Sequence, residues 1–145
     1  MIFFIDKPYV SEYLKQTLST HQVPVYDPEN LLPGHTPSLT AEETRHAYQN
    51  PEYPPMVYTN SENSFSHIYD ILSETPLPAQ INEFKNKFRF RQLLADYYPR
   101  FHFEAYTTNE LLQLSGETLP YPIVLKPAVG FFSLGIYQVR SKKEF

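Results

Sequence analysis

Lys126, Gly130, Ser133 and Gly135 have residue types and a spacing that suit the binding of phosphate oxygens. Lys126 directly follows an apolar run at 123–125, and the two glycines lie in the segment after it. A lysine ammonium acts as a point charge on phosphate, and a glycine lets backbone N–H groups approach a ligand where a Cβ would clash. The pattern therefore predicts an anion-binding loop with a lysine at its base.

A P-loop is the first alternative for two glycines at this spacing. Such a loop places Lys and Ser or Thr directly after its second glycine and then opens a helix. Here Ile136 and Tyr137 follow Gly135, and a second strand is predicted at Ile136 to Val139. A Walker site is therefore excluded, and the segment predicts two strands joined by the loop.

The composition of the 145-residue chain is that of an ordinary globular protein, with 41% hydrophobic and 16% aromatic residues. Its formal net charge of -4 argues against a nucleic-acid surface spread over the whole molecule. The lack of cysteine excludes disulfides, thiolate catalysis and cysteine metal sites. The apolar run at 2–5 is too short for a signal peptide or a membrane span of about 20 residues. We therefore expect a cytoplasmic protein without a membrane partner.

The first 80 residues alternate strand and helix patterns, which is typical of a parallel α/β layer. Strands are predicted at 2–5, 23–26 and 57–59, and Pro8 is expected at or near the start of the first helix. A second helix is predicted from about 62 to 72. The first helix has a predicted apolar face formed by Val10, Tyr13, Leu14, Thr17 and Leu18.

The segment from Asp27 to Met56 contains six of the prolines and is expected to be mostly irregular. One short helix is predicted inside it, because Thr40 and Glu43 match a capping box. We expect this helix to run to about Gln49. The Thr-Pro-Leu-Pro sequence that starts at Thr75 then indicates a boundary, so we predict one lobe over 1–80 and a second over 81–145.

The second lobe is predicted to be a small α+β unit. Apolar positions at helical spacing indicate a helix over 86–98, and alternation at 101–105 indicates a half-buried strand. Thr107 and Glu110 form a second capping-box match before the lysine-bearing hairpin. The residues at 141–145 have the pattern of a helix cap and first turn, so we expect this lobe to be truncated.

The sequence Tyr121–Pro127, followed by Gly130, Ser133 and Gly135, resembles the lysine-bearing strand and phosphate loop of the ATP-grasp superfamily. These proteins are ATP-dependent ligases that join a carboxylate to an amine or thiol through an acyl phosphate. The sequence at 86–89 is similar to the segment whose lysine opens their nucleotide-binding lobe. The α/β region before residue 80 resembles the Rossmann-like domain that precedes that lobe.

The resemblance implies that Lys126 contacts the α- or β-phosphate of ATP, and that Lys87 reaches the same phosphates or the adenine pocket. It also implies that the loop at 128–135 closes over the triphosphate, with Phe131 and Phe132 at its tip. Mg²⁺ would lie between the phosphates, on carboxylates and an asparagine expected beyond residue 145. We therefore expect an N-terminal part of a carboxylate ligase, with a small-molecule carboxylate as substrate, that binds nucleotide weakly and is inactive alone.

Two other functions compete with this interpretation. The run at 84–91 interleaves basic and aromatic residues, as grooves for single-stranded nucleic acid do. A helix there would turn Phe90 inward with Leu93 and Leu94, so we do not expect a nucleic-acid partner. The other alternative is a non-catalytic α/β module for protein interaction or dimerisation, which leaves a homodimer open.

Overall fold

The computed structural model describes residues 1–50, 56–130 and 133–145, and the chain divides into two compact units, Met1–Pro78 and Ala79–Phe145. The first unit contains a four-stranded parallel sheet, and the second contains a two-stranded antiparallel hairpin. The expected α/β class is therefore confirmed. Three of the prolines predicted to break the segment between Asp27 and Met56 lie at 51–55, outside the described residues.

The sheet of the first unit consists of β1 Ile2–Phe4, β2 Val25–Tyr26, β3 Ser38–Leu39 and β4 Val57–Thr59, in the spatial order β3-β2-β1-β4. Every neighbouring pair of strands is parallel, with Phe4 opposite Tyr26 on one side and Thr59 on the other. Parallel strands need crossover connections. The helix Glu12–Thr20 lies in the connection from β1 to β2 and the helix Ala41–Gln49 in that from β3 to β4, whereas the connection from β2 to β3, at 27–37, contains no helix. The helices of this unit are α1 Glu12–Thr20, α2 Ala41–Gln49, a 3₁₀ turn Glu62–Ser64 and α3 Phe65–Ile71.

Both faces of the central strand β1 are covered, as its continuous apolar sequence requires. On one face Ile5 is buried in a cluster with Val25 and with Leu18 of α1. On the other face Phe4 is fully buried, and its ring lies 5.3 Å from that of Tyr26, which in turn meets His67 of α3. The sheet is therefore a buried layer between helices.

The proline-rich segment contributes to this unit. Both carboxylate oxygens of Asp27 accept backbone N–H groups, from Leu31 at 2.8 Å and Leu32 at 2.7 Å. This turn places Leu32 in the apolar cluster, where it is buried. The predicted helix is present as α2 and begins with the complete capping box of Thr40 and Glu43. The bonds from Thr40 lower the pKa of the Glu43 carboxyl below its ordinary value, because they stabilise the ionised form.

Two details of the α1 prediction are wrong. The helix begins after Pro8, with Ser11 as its N-cap and Glu12 as its first residue, because the Ser11 hydroxyl accepts the N–H of Leu14. Tyr13 also does not belong to the apolar face, since its side chain is 80% exposed. Leu18 is buried in the apolar cluster and Leu14 packs against it, whereas Tyr13 faces solvent.

The carboxyl end of β1 is held to the segment after β4 by Asn60. The Asn60 amide donates to the backbone carbonyls of Asp6 at 2.6 Å and Tyr9 at 2.8 Å, and its Oδ1 accepts the Asp6 N–H at 2.9 Å. One side chain therefore satisfies three backbone groups of the β1–α1 loop. Asn63 adds a bond to the carbonyl of Lys7 at 2.9 Å.

The second unit has helices and a hairpin but little buried apolar surface. Among its described residues, Val139 is the only hydrophobic side chain that is buried. Aromatic pairs supply much of the packing, such as Phe88 with Phe103, whose ring centroids are 5.8 Å apart. The elements are α4 Leu77–Lys85, which begins in the last residues of the first unit, α5 Lys87–Leu93, α6 Thr108–Gln113, β5 Ile123–Leu125 and β6 Tyr137–Val139.

The hairpin and the Thr107 capping box are confirmed, whereas other predictions for this unit are wrong. Helix α5 ends at Leu93 instead of continuing to residue 98. The segment at 101–105 is not a strand, because it has no ladder partner among the described residues. Helix α4 was not predicted, since Pro76 and Pro78 indicated a break. Proline is nevertheless tolerated in a first helical turn, where its missing N–H has no helical acceptor.

None of the helices in the described part of the chain has the length and apolar character needed to cross a membrane.

Candidate functional site

The predicted site residues lie in and around the β5–β6 hairpin of the second unit. Strand β5 pairs with β6 in antiparallel register, with Leu125 opposite Tyr137, and Lys126 is the next residue after β5. Its side chain is exposed and has no carboxylate within ion-pair distance in the described part of the chain. The hairpin therefore presents an unneutralised cation at the start of its loop.

Lys87 joins the loop through two hydrogen bonds. Its backbone N–H donates to the carbonyl of Ala128 at 2.7 Å, and its Nζ donates to the carbonyl of Gly130 at 2.9 Å. Residues 43 positions apart in sequence are thereby brought into contact. Two residues of chain span at most about 7 Å. The Cα of Lys126 therefore lies within that distance of the Ala128 Cα, on the same loop that Lys87 holds.

The start of α5 explains how Lys87 reaches the loop. Asn86 is the N-cap, and its Oδ1 accepts the N–H groups of Phe88 and Arg89, both at 3.0 Å. Lys87 is the first helical residue, so its N–H has no acceptor inside the helix. Ala128 supplies that acceptor from the hairpin loop. The ammonium of Lys87 keeps two further donors after its bond to Gly130, and these are available to an anion.

The loop folds over Pro127, and its two glycines have different structural roles. Gly135 has φ +70°, and a Cβ at this position would lie 3.1 Å from Pro127 Cγ. Ser133 also has a positive φ, of 58°, which is uncommon for a residue other than glycine. A Cβ at Gly130 would meet Pro127 only at an ordinary distance of 3.5 Å. The fold thus requires glycine at 135 but not at 130.

Gly135→Ala is expected to destabilise the hairpin by about 1–2 kcal/mol, the cost of a left-handed conformation for a residue with a Cβ. The Gly130→Ala variant is the matched control, because its φ lies outside the left-handed region and its Cβ meets no close atom. Amide hydrogen exchange in β5 and β6 measures both effects. Equal protection of the hairpin in the two variants would contradict the assignment of the strain to Gly135.

The described residues suit the phosphate end of a nucleotide better than they suit a metal. Lys87, Lys126 and the backbone of the loop provide charge and hydrogen-bond donors for anionic oxygens. No group of three or more His, Asp or Glu side chains in the described ranges is arranged to hold a metal ion. We therefore assign no magnesium ligand to these residues. The loop tip expected at Phe131 and Phe132 lies outside the described residues.

A second feature of this unit was not predicted from the sequence. Two adjoining cavities lie between the C-terminal half of α5 and the segment at 101–106. The larger is an open groove of about 710 Å³, and the smaller has a volume of about 200 Å³. Arg91 lines the smaller cavity, and its guanidinium carbon lies 4.4 Å from the centre of the Phe101 ring. No sequence signal connects Arg91 with Phe101, since only the turn after α5 brings them together.

Comparison of the chain with protein-family models, with curated proteins and with solved structures gives no match.

Proposed function

We propose that this chain carries the phosphate-binding loop of an ATP-dependent ligase of the ATP-grasp type. In this proposal the first unit is the Rossmann-like domain, and residues from 79 onward begin the nucleotide-binding lobe. Such a ligase transfers the γ-phosphoryl group of ATP to a carboxylate and then passes the acyl group to an amine or thiol. We also place the protein in the cytoplasm, which suits a chain without cysteine.

The observation that carries the proposal is the double contact of Lys87 with the loop that follows Lys126. Phosphoryl transfer depends chiefly on positioning and on neutralising charge. One cation is fixed against the loop by its bond to Gly130, and the other is exposed at the loop's first position. The family resemblance implies a nucleotide contact for each lysine separately. Lys126 begins the loop and Lys87 is bonded to it, and this shared position supports a common ligand.

The proposed roles differ for the two lysines. Lys126 has no partner among the described residues, so its ammonium is free to neutralise a phosphate oxygen. Lys87 holds the loop in place through Ala128 and Gly130 and offers its remaining donors to the same anion. In this proposal Gly130 lets the backbone approach the phosphates, and Ser133 and Gly135 shape the return of the loop into β6.

The test is a titration of the chain with ATP, in which binding is measured by calorimetry and by NMR amide chemical shifts. We expect weak binding, with a dissociation constant of about 1 mM, equivalent to about −4 kcal/mol. The shifts should concentrate at 126–130 and 133–135. In Lys126→Met they should fall below detection, because losing a charged hydrogen bond costs about 1.5–3 kcal/mol.

Two controls separate phosphate recognition from general charge effects. Lys143→Met removes one exposed positive charge from the same unit and should leave the titration unchanged. Adenosine, which lacks phosphates, should not shift the loop amides of the unaltered chain. The proposal fails if Lys126→Met binds ATP as the unaltered chain does, or if adenosine produces the same shifts.

Exposed apolar side chains in the second unit favour a second candidate, the non-catalytic interaction or dimerisation module. Leu112 is 80% exposed, Leu134 69% and Phe84 67%. In this second proposal these side chains contribute to one contiguous patch, because a contiguous apolar patch is the kind of surface that marks a protein–protein contact. Sedimentation velocity over a range of protein concentrations tests this candidate. A concentration-dependent dimer that is unaffected by Lys126→Met would support it over the ligase.

A further inference from the structure

The pocket of about 200 Å³ at the end of α5 combines an apolar lining with one cation. Its wall consists of aliphatic and aromatic groups, and no carboxylate contributes to it. Arg91 is the one charged residue of the lining. The lining residues are Arg91, Leu94, Ala95, Tyr98, Phe101 and Phe103.

The turn after α5 builds this pocket. The N–H groups of Tyr97 and Tyr98 donate to the carbonyl of Leu94 at 3.1 and 3.0 Å, and the Phe101 N–H donates to the carbonyl of Tyr98 at 3.0 Å. These bonds reverse the chain and place Phe101 against Arg91. Phe103 is held from its other side by an edge-to-face contact with Phe88. Both ends of the aromatic wall are thus fixed by contacts within the unit.

The guanidinium of Arg91 is oriented but not neutralised. Its guanidinium carbon lies over the Phe101 ring, 4.4 Å from the ring centre. This cation–π contact occupies none of the guanidinium N–H groups in a hydrogen bond, and their fork matches a carboxylate. In the described ranges no carboxylate lies within ion-pair distance of Arg91, whereas the neighbouring Arg89 is paired with Glu83 at 2.9 Å.

The helix end does not repel an anion strongly at this site. The last carbonyls of α5 accept hydrogen bonds from the turn that follows, from Leu94 N–H to Arg91 and from Ala95 N–H to Gln92, both at 3.2 Å. Glu104 lines the neighbouring groove and not this pocket. Its carboxylate accepts the hydroxyl of Tyr106, and His102 lies 3.8 Å away.

From this arrangement we infer that the pocket binds a small apolar monocarboxylate, with its carboxylate on Arg91 and its apolar part between Leu94, Ala95 and the aromatic wall. A cavity of about 150 Å³ is sufficient for benzene. A volume of about 200 Å³ therefore suits a single ring or a short branched chain with a carboxylate attached. The inference stands apart from the nucleotide proposal, because it uses neither Lys87, Lys126 nor the hairpin loop.

Sodium benzoate is the probe for the test, and benzamide is its uncharged counterpart. Each is titrated into the full chain without nucleotide, and the methyl resonances of Leu94 and Ala95 are followed by NMR. We expect saturable shifts with benzoate and at least about tenfold weaker binding of benzamide, because a charge-assisted bond to Arg91 is lost. In Arg91→Gln, benzoate binding should weaken to the level of benzamide.

Arg89→Gln is the matched control, because it removes the adjacent arginine without touching the pocket. It should leave benzoate binding unchanged. If Arg91→Gln fails to fold, Ala95→Leu provides a second variant that fills the pocket and retains the arginine, and benzoate binding should be lost. Equal binding of benzoate and benzamide, or benzoate shifts that do not saturate at Leu94 and Ala95, would overturn the inference.

Discussion

Asn60→Ala is expected to destabilise the first unit by about 3 kcal/mol, at about 1 kcal/mol for each of three lost hydrogen bonds. The two carbonyls and the N–H that Asn60 satisfies belong to the loop after the central strand, at Asp6 and Tyr9. Domains are typically stable by about 5–15 kcal/mol, so the loss is a large share of the total. Hydrogen exchange of the β1 amides in denaturant measures the effect on this unit alone.

Asn63→Ala is the control for Asn60→Ala, since Asn63 donates one exposed bond to the same loop. Its loss should stay below about 1 kcal/mol. Asn60→Asp gives a sharper test, because it retains the acceptor for the Asp6 N–H but turns a carboxylate toward two carbonyls. That variant should regain stability as the pH falls and the carboxyl is protonated. A destabilisation of Asn60→Ala no larger than that of Asn63→Ala would contradict the role of Asn60.

Gly116→Ala is expected to destabilise the second unit by about 3 kcal/mol. The left-handed backbone, with φ +70°, contributes about 1–2 kcal/mol. The added Cβ would also lie 2.7 Å from Phe145 Cδ1 and 2.8 Å from the hydroxyl of Tyr121, and overpacking of this kind costs about 1–3 kcal/mol. Tyr121 would have to move, although its hydroxyl donates to the Gly116 carbonyl at 2.9 Å.

Protection of the β5 and β6 amides from hydrogen exchange reports the stability of this unit. Gly34→Ala is the control, because Gly34 has a similar φ of +78° but no atom within 4 Å of an added Cβ. Its effect on the first unit should be the backbone cost alone, about 1–2 kcal/mol. Equal destabilisation by Gly116→Ala and Gly34→Ala would contradict the predicted overpacking against Phe145 and Tyr121.

Local chemistry made several elements predictable from sequence. A capping box involves residues three positions apart, so Thr40 with Glu43 and Thr107 with Glu110 are recognised without any knowledge of the fold. The buried strand β1 is likewise predicted by its continuous apolar run. These signals depend on a few neighbouring residues, and the tertiary structure did not override them.

Elements defined by distant partners were not predictable in the same way. Strand β3 has only two residues, Ser38 and Leu39, and it is a strand because it pairs with β2 at Val25 and Tyr26. The alternation at 101–105 gave the opposite error, since a strand pattern without a ladder partner remains irregular. Hydrophobic periodicity alone therefore failed to predict strand β3 and wrongly predicted a strand at 101–105.

The candidate sites show the same difference between features set by neighbouring residues and features set by distant contacts. Lys126 and the glycines after it are neighbours in sequence, so their joint placement at the hairpin could be expected. The contact of Lys87 with Gly130 spans 43 positions and depends on the N-cap at Asn86. The approach of Arg91 to Phe101 depends on the turn after α5, which was predicted as helix. The contacts within the first candidate site, and all of the second candidate site, thus depend on tertiary structure that no local sequence pattern indicates.

The backbone bond from Lys87 to Ala128 has a consequence for how motion of the hairpin loop can be observed. The first amide of a helix normally faces solvent and exchanges its proton quickly, because no helical carbonyl accepts it. Here that amide is bonded across to the loop at 2.7 Å. Its exchange rate therefore records how often the loop detaches from the helix. The exchange of this one amide proton of α5 thus reports the opening of the β5–β6 loop.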